Sequence, residues 1–198
     1  RGCFVGGGTA GSGAGAGASF GGLIMMWAPG VPGNMIQGAP GATGFSGDFE
    51  EYVAQRFATS TAADFAVLEA GIVSEETYVE QGLYWETGHH PLIKYILDKY
   101  QPDLAMVGYP VTDEFQHQFL GLVTQKLPNG DANPAYDDVQ VNGTPDKRVQ
   151  QRKAFLQRAY KGADSTLALV DSLMPGDESN FVSSDHGFAP QFLAVDAS

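Results

Sequence analysis

Cysteine is nearly absent. A single residue, Cys3, in a chain of 198 excludes an internal disulfide framework and any Cys-rich zinc knuckle. It has no activating neighbour in sequence and reads as inert. Basic residues are scarce, 11 against 23 acidic, for a net charge of −12. Without Lys/Arg runs there is no groove for nucleic-acid phosphates and no attraction to an anionic membrane surface. No apolar run reaches the length of about 18 residues that a bilayer span requires. The opening Arg1-Gly2-Cys3-Phe4-Val5 lacks the charged and then apolar layout of a signal peptide. Gly-Lys-Ser/Thr, the core of a P-loop, is missing too.

What is present fits a folded chain. The hydrophobic fraction of 43% is too high for wholesale disorder, and the length allows one full domain with a sizeable core. The acid excess serves solubility. It also offers carboxylates that, with four His, suit hard and borderline cations.

Residues 1–48 read as a Gly/Pro-rich segment with one short strand, and 49–198 as the central part of an α/β domain. Positions 6–19 are almost all Gly, Ala, Ser and Thr, so Gly6-x-Gly8-x-x-Gly11 matches the dinucleotide fingerprint by composition alone. Leu23-Ile24-Met25-Met26-Trp27 predicts a buried strand, followed by a long Pro/Gly loop to residue 48. Asp48 is placed to cap a helix over 49–58, and Ser74-Glu75-Glu76-Thr77 predicts a second helix start. His90-Pro91 opens a third helix, with apolar residues at 92, 93, 96, 97 and 100. Leu104-Ala105-Met106-Val107-Gly108-Tyr109 is continuously apolar, as a central parallel strand requires. After an excursion over 127–146, a long helix is expected over about 146–173. Its apolar side carries Val149, Phe155, Leu156, Tyr160, Ala163, Leu167, Val170 and Leu173. Asn180-Phe181-Val182-Ser183-Ser184 predicts a further buried strand. Helices alternating with such strands indicate an α/β fold.

Two strand ends carry chemistry. Just beyond the carboxyl end of a strand is where open α/β sheets bind ligands. After the first strand come Asp113 and His117, four apart, which a helix sets on one face. A carboxylate and an imidazole so placed fill two corners of a metal site, although a surface i,i+4 ion pair uses the same spacing. After the second strand come Asp185-His186-Gly187, where Gly187 permits a sharp turn that converges both side chains on one ion.

Pro102-Asp103-Leu104 through Asp113-x-x-x-His117, followed by Ser184-Asp185-His186-Gly187-Phe188, resembles the alkaline phosphatase superfamily. The closer likeness is to its type I phosphodiesterase/nucleotide pyrophosphatase branch, over roughly residues 88–190. The resemblance implies an α/β/α sandwich with a mostly parallel central sheet, only part of which this chain would hold. It implies two divalent metal ions, zinc by preference, with Asp113 and His117 on one and Asp185 and His186 on the other. Such a pair of ions, about 4 Å apart, clamps the attacking and leaving oxygens of an in-line displacement. The implied reaction is hydrolysis of phosphodiester or nucleotide pyrophosphate bonds in a small substrate. A sulfatase, phosphomonoesterase or phosphoglycerate mutase of the same superfamily is the enzymatic alternative, and a non-catalytic metal-binding scaffold the other.

The family pattern also has an Asp ligand and a Thr or Ser nucleophile upstream, and a His ligand after Asp-His-Gly. Thr9 and Thr43 match the nucleophile by type only, and no His follows His186. The expectation is therefore an internal fragment, inactive or very weak alone, its partner being the remainder of its own chain. Family members are often exported, which favours an extracellular or periplasmic location. His89-His90 is expected at a solvent-exposed helix entry. Trp27, Tyr84 and Trp85 are expected in the core rather than stacked on a base. Asn142-Gly143-Thr144 is a glycosylation sequon, meaningful only in a secretory pathway that glycosylates.

Overall fold

The computed structural model describes residues 2–7, 24–27, 55–57, 63–136, 140–141, 144–145, 147–174, 176–177 and 179–192. The described residues form a mixed α/β structure with more helix than strand. Four strands form one sheet in the order β2-β3-β1-β6: β1 (Gly2–Gly7), β2 (Ile24–Trp27), β3 (Leu104–Gly108) and β6 (Ser179–Ser184). Strand β1 runs parallel to both β3 and β6, while β2 runs antiparallel to β3. Two-residue strands β4 (Gln140–Val141) and β5 (Thr144–Pro145) make a separate antiparallel pair within the 127–146 excursion.

Two sequence expectations change here. Among the described residues of 1–48 there are two strands against the one expected, and β1 sits inside the sheet between β3 and β6. Gly-Cys-Phe-Val-Gly-Gly is too short and too Gly-rich for side-chain pattern to betray it. Strand β6, expected to be buried, is exposed along its whole length, with Phe181 and Val182 at 60% and 66% exposure. It stands at the sheet edge with β1 as its one sheet neighbour among the described residues.

The helices follow their local signals. Helix α1 (Phe65–Glu69) is capped by the Asp64 carboxylate, which accepts from the Ala66 N–H at 2.9 Å. Helix α2 (Glu75–Gly88) starts where Ser74 Oγ accepts from the Thr77 N–H, with Glu75 and Glu76 in its first turn. That side-chain acceptor satisfies one of the donors a helix start leaves free. Helix α3 (His90–Tyr100) has Pro91 in its first turn and stops at Gln101, whose φ of 42° is left-handed. Helix α4 (Val111–Phe119) leaves β3 after the two residues Tyr109 and Pro110, and a 3-10 turn, Gly121–Val123, follows it. Helix α5 (Arg148–Leu173) is the long one. Of the expected helix over 49–58, residues 55 and 56 are helical; 49–54 and 58, with the cap Asp48, lie outside the described residues.

Two apolar clusters hold these parts together. Leu92, Ile93, Ile96 and Leu97 of α3 meet Ala105 and Val107 of β3 and Val170 of α5. Tyr78, Val79 and Trp85 of α2 meet Val111, Phe115 and Phe119 of α4 and Phe155 and Ala159 of α5. Helix α5 therefore spans both clusters. Tyr160, expected on its apolar side, is 56% exposed instead, because the 3.6-residue period carries it off the face that Phe155 and Ala159 occupy. Among the described residues no helix is long and apolar enough to cross a membrane.

Candidate metal centre

Helix α4 begins right after β3, so its first turn lies beyond the carboxyl end of that strand. Asp113 and His117, one helical turn apart, face the same way, with His117 Nε2 3.4 Å from Asp113 Oδ2. The residues after β6 come to the same place. His186 Nε2 lies 3.6 Å from Asp113 Oδ1 and 3.7 Å from Asp185 Oδ2. The four residues singled out in sequence thus form a row: His117, Asp113, His186, Asp185.

Burial is uneven along that row. Asp113 is buried, whereas His117, Asp185 and His186 are open to solvent. Asp113 Oδ1 is buried without a hydrogen-bond partner, a state that normally carries a desolvation cost. Both imidazoles are held at their other nitrogen. His117 Nδ1 meets Gln191 Oε1 at 3.0 Å, and His186 Nδ1 meets the Gly187 carbonyl at 2.8 Å. The Gly187 carbonyl accepts only, so a neutral His186 carries its proton on Nδ1. With Gln191 turned so that Oε1 faces the ring, a neutral His117 does the same, and each Nε2 lone pair is then directed toward Asp113. Lone pair facing carboxylate is repulsive until a proton or another cation lies between them. The Gly187 carbonyl, and then the charges of Asp185 and Asp113, raise the His186 pKa. Burial pushes the neighbouring Glu114 carboxyl up, and the Asp113 charge adds to this.

Carboxylate and imidazole are donor types that bind divalent metal. Two ligands of one tetrahedral zinc, each at about 2.0–2.1 Å, stand roughly 3.3 Å apart. The Asp113–His117 separation of 3.4 Å is close to such an edge, and the Asp185–His186 separation of 3.7 Å is somewhat longer. The donors are arranged as pairs along a row. Among the described residues no group of three or more His, Cys, Asp and Glu is set to hold an ion together. The orphaned Asp113 oxygen is the polar atom a cation would satisfy.

Two neighbours that no sequence signal assigns as ligands complete the surroundings. The Phe188 ring meets His117 edge-on at 4.7 Å between centroids and stands 6.4 Å from the His186 ring. Gln191 supplies the acceptor for His117. Phe188 stands in the Asp-His-Gly-Phe run, where its neighbours pointed to it; Gln191 had no spacing signal.

The other candidates go elsewhere. His89, expected at an exposed helix entry, is 4% exposed. It joins α2 directly to α3, so its ring packs edge-on against Trp85 at 4.7 Å and its Nδ1 meets the Trp85 carbonyl at 2.8 Å. His90 is half-buried, its Nε2 2.9 Å from the hydroxyl of the fully buried Thr166. Burial lowers both histidines' pKa, and for His90 the neighbouring His89 adds to it. Trp85 belongs to the core as expected, whereas Tyr84 is 70% exposed. The Thr9 and Thr43 hydroxyls and the Asn142-Gly143 part of the sequon lie outside the described residues.

No protein-family model, curated protein or solved structure matches this chain.

Proposed function

We propose that this chain contributes metal ligands to a phosphoryl-transfer site of the phosphodiesterase/nucleotide pyrophosphatase kind, on an alkaline phosphatase-like α/β/α sandwich. The observation that carries the reading is the convergence of two distant segments. Asp113 and His117 leave β3, Asp185 and His186 leave β6, and Asp113 lies within 3.6 Å of the imidazole from the other segment.

In this reading Asp113 and His117 hold one divalent ion, preferably zinc, and Asp185 and His186 the other. Ions bound there supply Lewis-acid stabilisation of phosphoryl oxygens. The chain's own residues do the positioning. Asp113, fixed in the first turn of α4, is the buried carboxylate around which the row is built. Gly187 accepts from His186 Nδ1 through its carbonyl and so sets that ring's orientation. Phe188 packs edge-on against the His117 ring and supports its orientation. The nucleophile and the remaining ligands are to be sought outside the described residues.

The test is equilibrium binding of a nucleoside monophosphate, a product of such a reaction, with and without zinc. Zinc-dependent binding that disappears in the Asp113→Ala/Asp185→Ala double variant is the expected result. Binding indifferent to both zinc and the double substitution contradicts the reading.

A further inference from the structure

The geometry points to Gln191 as a positioning residue that fixes the tautomer of His117, and with it the direction of the His117 Nε2 lone pair. This rests on the reading of His117 as a metal ligand and adds the residue that orients it.

The side chain reaches its place through several anchors. Asn133 is buried and donates from Nδ2 to the carbonyls of both Gly121 and Thr124, each at 2.8 Å. These bonds tie the 3-10 turn after α4 to the 125–136 loop. The Gly121 backbone then lies directly against the Gln191 carbonyl, and a Cβ on Gly121 would fall inside that oxygen. Gln191 is therefore seated by its backbone, on a turn contiguous with the helix that carries His117. From that seat Oε1 lies 3.0 Å from His117 Nδ1, while the Phe188 edge contact holds the same ring from another side.

The chemistry follows from the acceptor. An amide oxygen facing Nδ1 demands a proton on Nδ1, so Nε2 is left as the lone-pair nitrogen 3.4 Å from Asp113 Oδ2. Metal-ligating histidines generally donate their other N–H to an acceptor of this sort, which sets ring orientation and raises ligand basicity.

The experiment compares the full chain with Gln191→Met, which keeps length and removes the acceptor, and Gln191→Glu, which keeps an acceptor. Histidine ring nitrogen shifts are read by NMR without metal, about two pH units above the usual imidazole pKa of about 6.5. The expected result is an Nδ1–H tautomer for His117 in the parent and in Gln191→Glu, and a shift toward Nε2–H in Gln191→Met. In parallel, zinc titration is expected to show affinity weakened about 10- to 100-fold by Gln191→Met and largely restored by Gln191→Glu. A His117 tautomer that is Nε2–H in the parent, or identical in Gln191→Met, overturns the role of Gln191. If the tautomer depends on Gln191 but no variant binds zinc, the positioning role stands and the metal reading fails.

Discussion

His186 Nε2 stands 3.6 Å from Asp113 Oδ1, a buried oxygen with no hydrogen-bond partner. The two residues come from different segments, one after β3 and one after β6. Because β1 lies between those strands and parallel to both, the carboxyl ends of β3 and β6 point the same way, and the segments that follow them meet. The sheet order is thus the physical cause of the site.

Glu86 gives a pH prediction. It is 3% exposed, its Oε2 has no hydrogen-bond partner, and burial pushes its pKa up to about 8 from 4.5. Between those values the unfolded chain has lost the proton that the folded chain keeps. Stability is therefore fully present below 4.5 and declines as pH rises toward about 8, each unit being worth about 1.4 kcal/mol at most. His89 acts in the opposite direction: its lowered pKa makes stability fall as pH drops below about 6.5. Thermal melts should show Glu86→Gln more stable than the parent at about pH 9 and nearly equal at about pH 4. An equal gain at both ends would mean the carboxyl is not held neutral.

Arg152 and Glu75 tie α5 to the first turn of α2. The Arg152 side chain is 5% exposed and reaches Glu75 through Nη2 at 2.7 Å and Nε at 3.1 Å. Removing one partner of a buried pair leaves an uncompensated charge, a loss of about 3–5 kcal/mol. Glu75 is partly open, so Glu75→Gln should cost somewhat less than that in a urea melt. Glu80→Gln, which breaks the exposed pair with Arg158, should cost under about 1 kcal/mol. Equal losses would contradict the difference in burial.

Gly162 lies in α5 against Tyr109, whose hydroxyl donates to the Ala159 carbonyl at 2.9 Å. A Cβ on Gly162 would fall inside that hydroxyl, and Tyr109 is buried. Alanine gains about 1 kcal/mol in helix propensity, but displacing a packed core ring costs about 1–3 kcal/mol. Gly162→Ala should therefore be neutral to destabilising by denaturant melt, and less harmful in a Tyr109→Phe background. A stabilised Gly162→Ala would show that Tyr109 yields freely.

The legible parts of the chain were those where local chemistry and tertiary need coincide. Ser74 caps α2, Pro91 opens α3, and the apolar run from Leu104 becomes β3. Asp113 and His117 were readable because helical spacing alone sets them on one face. The convergence of Asp185 and His186 on Asp113 was suggested by motif and depends on sheet order, which no local pattern encodes. Strand β1 is not legible in the sequence because a Gly-rich run carries little side-chain signal. His89 is buried against the expectation for a helix entry because a second helix begins at once after the first. Gln191 is invisible in sequence because its role depends on a backbone contact with Gly121.

The central claim is that the row from His117 to Asp185 binds divalent metal, and zinc titration calorimetry of the metal-free chain tests it most directly. The account predicts saturable zinc binding with proton release, weakened at least about tenfold by Asp113→Asn and lost in the Asp113→Asn/Asp185→Asn pair. Zinc binding of the same affinity and stoichiometry in the parent and the double variant, or none in the parent, would contradict it.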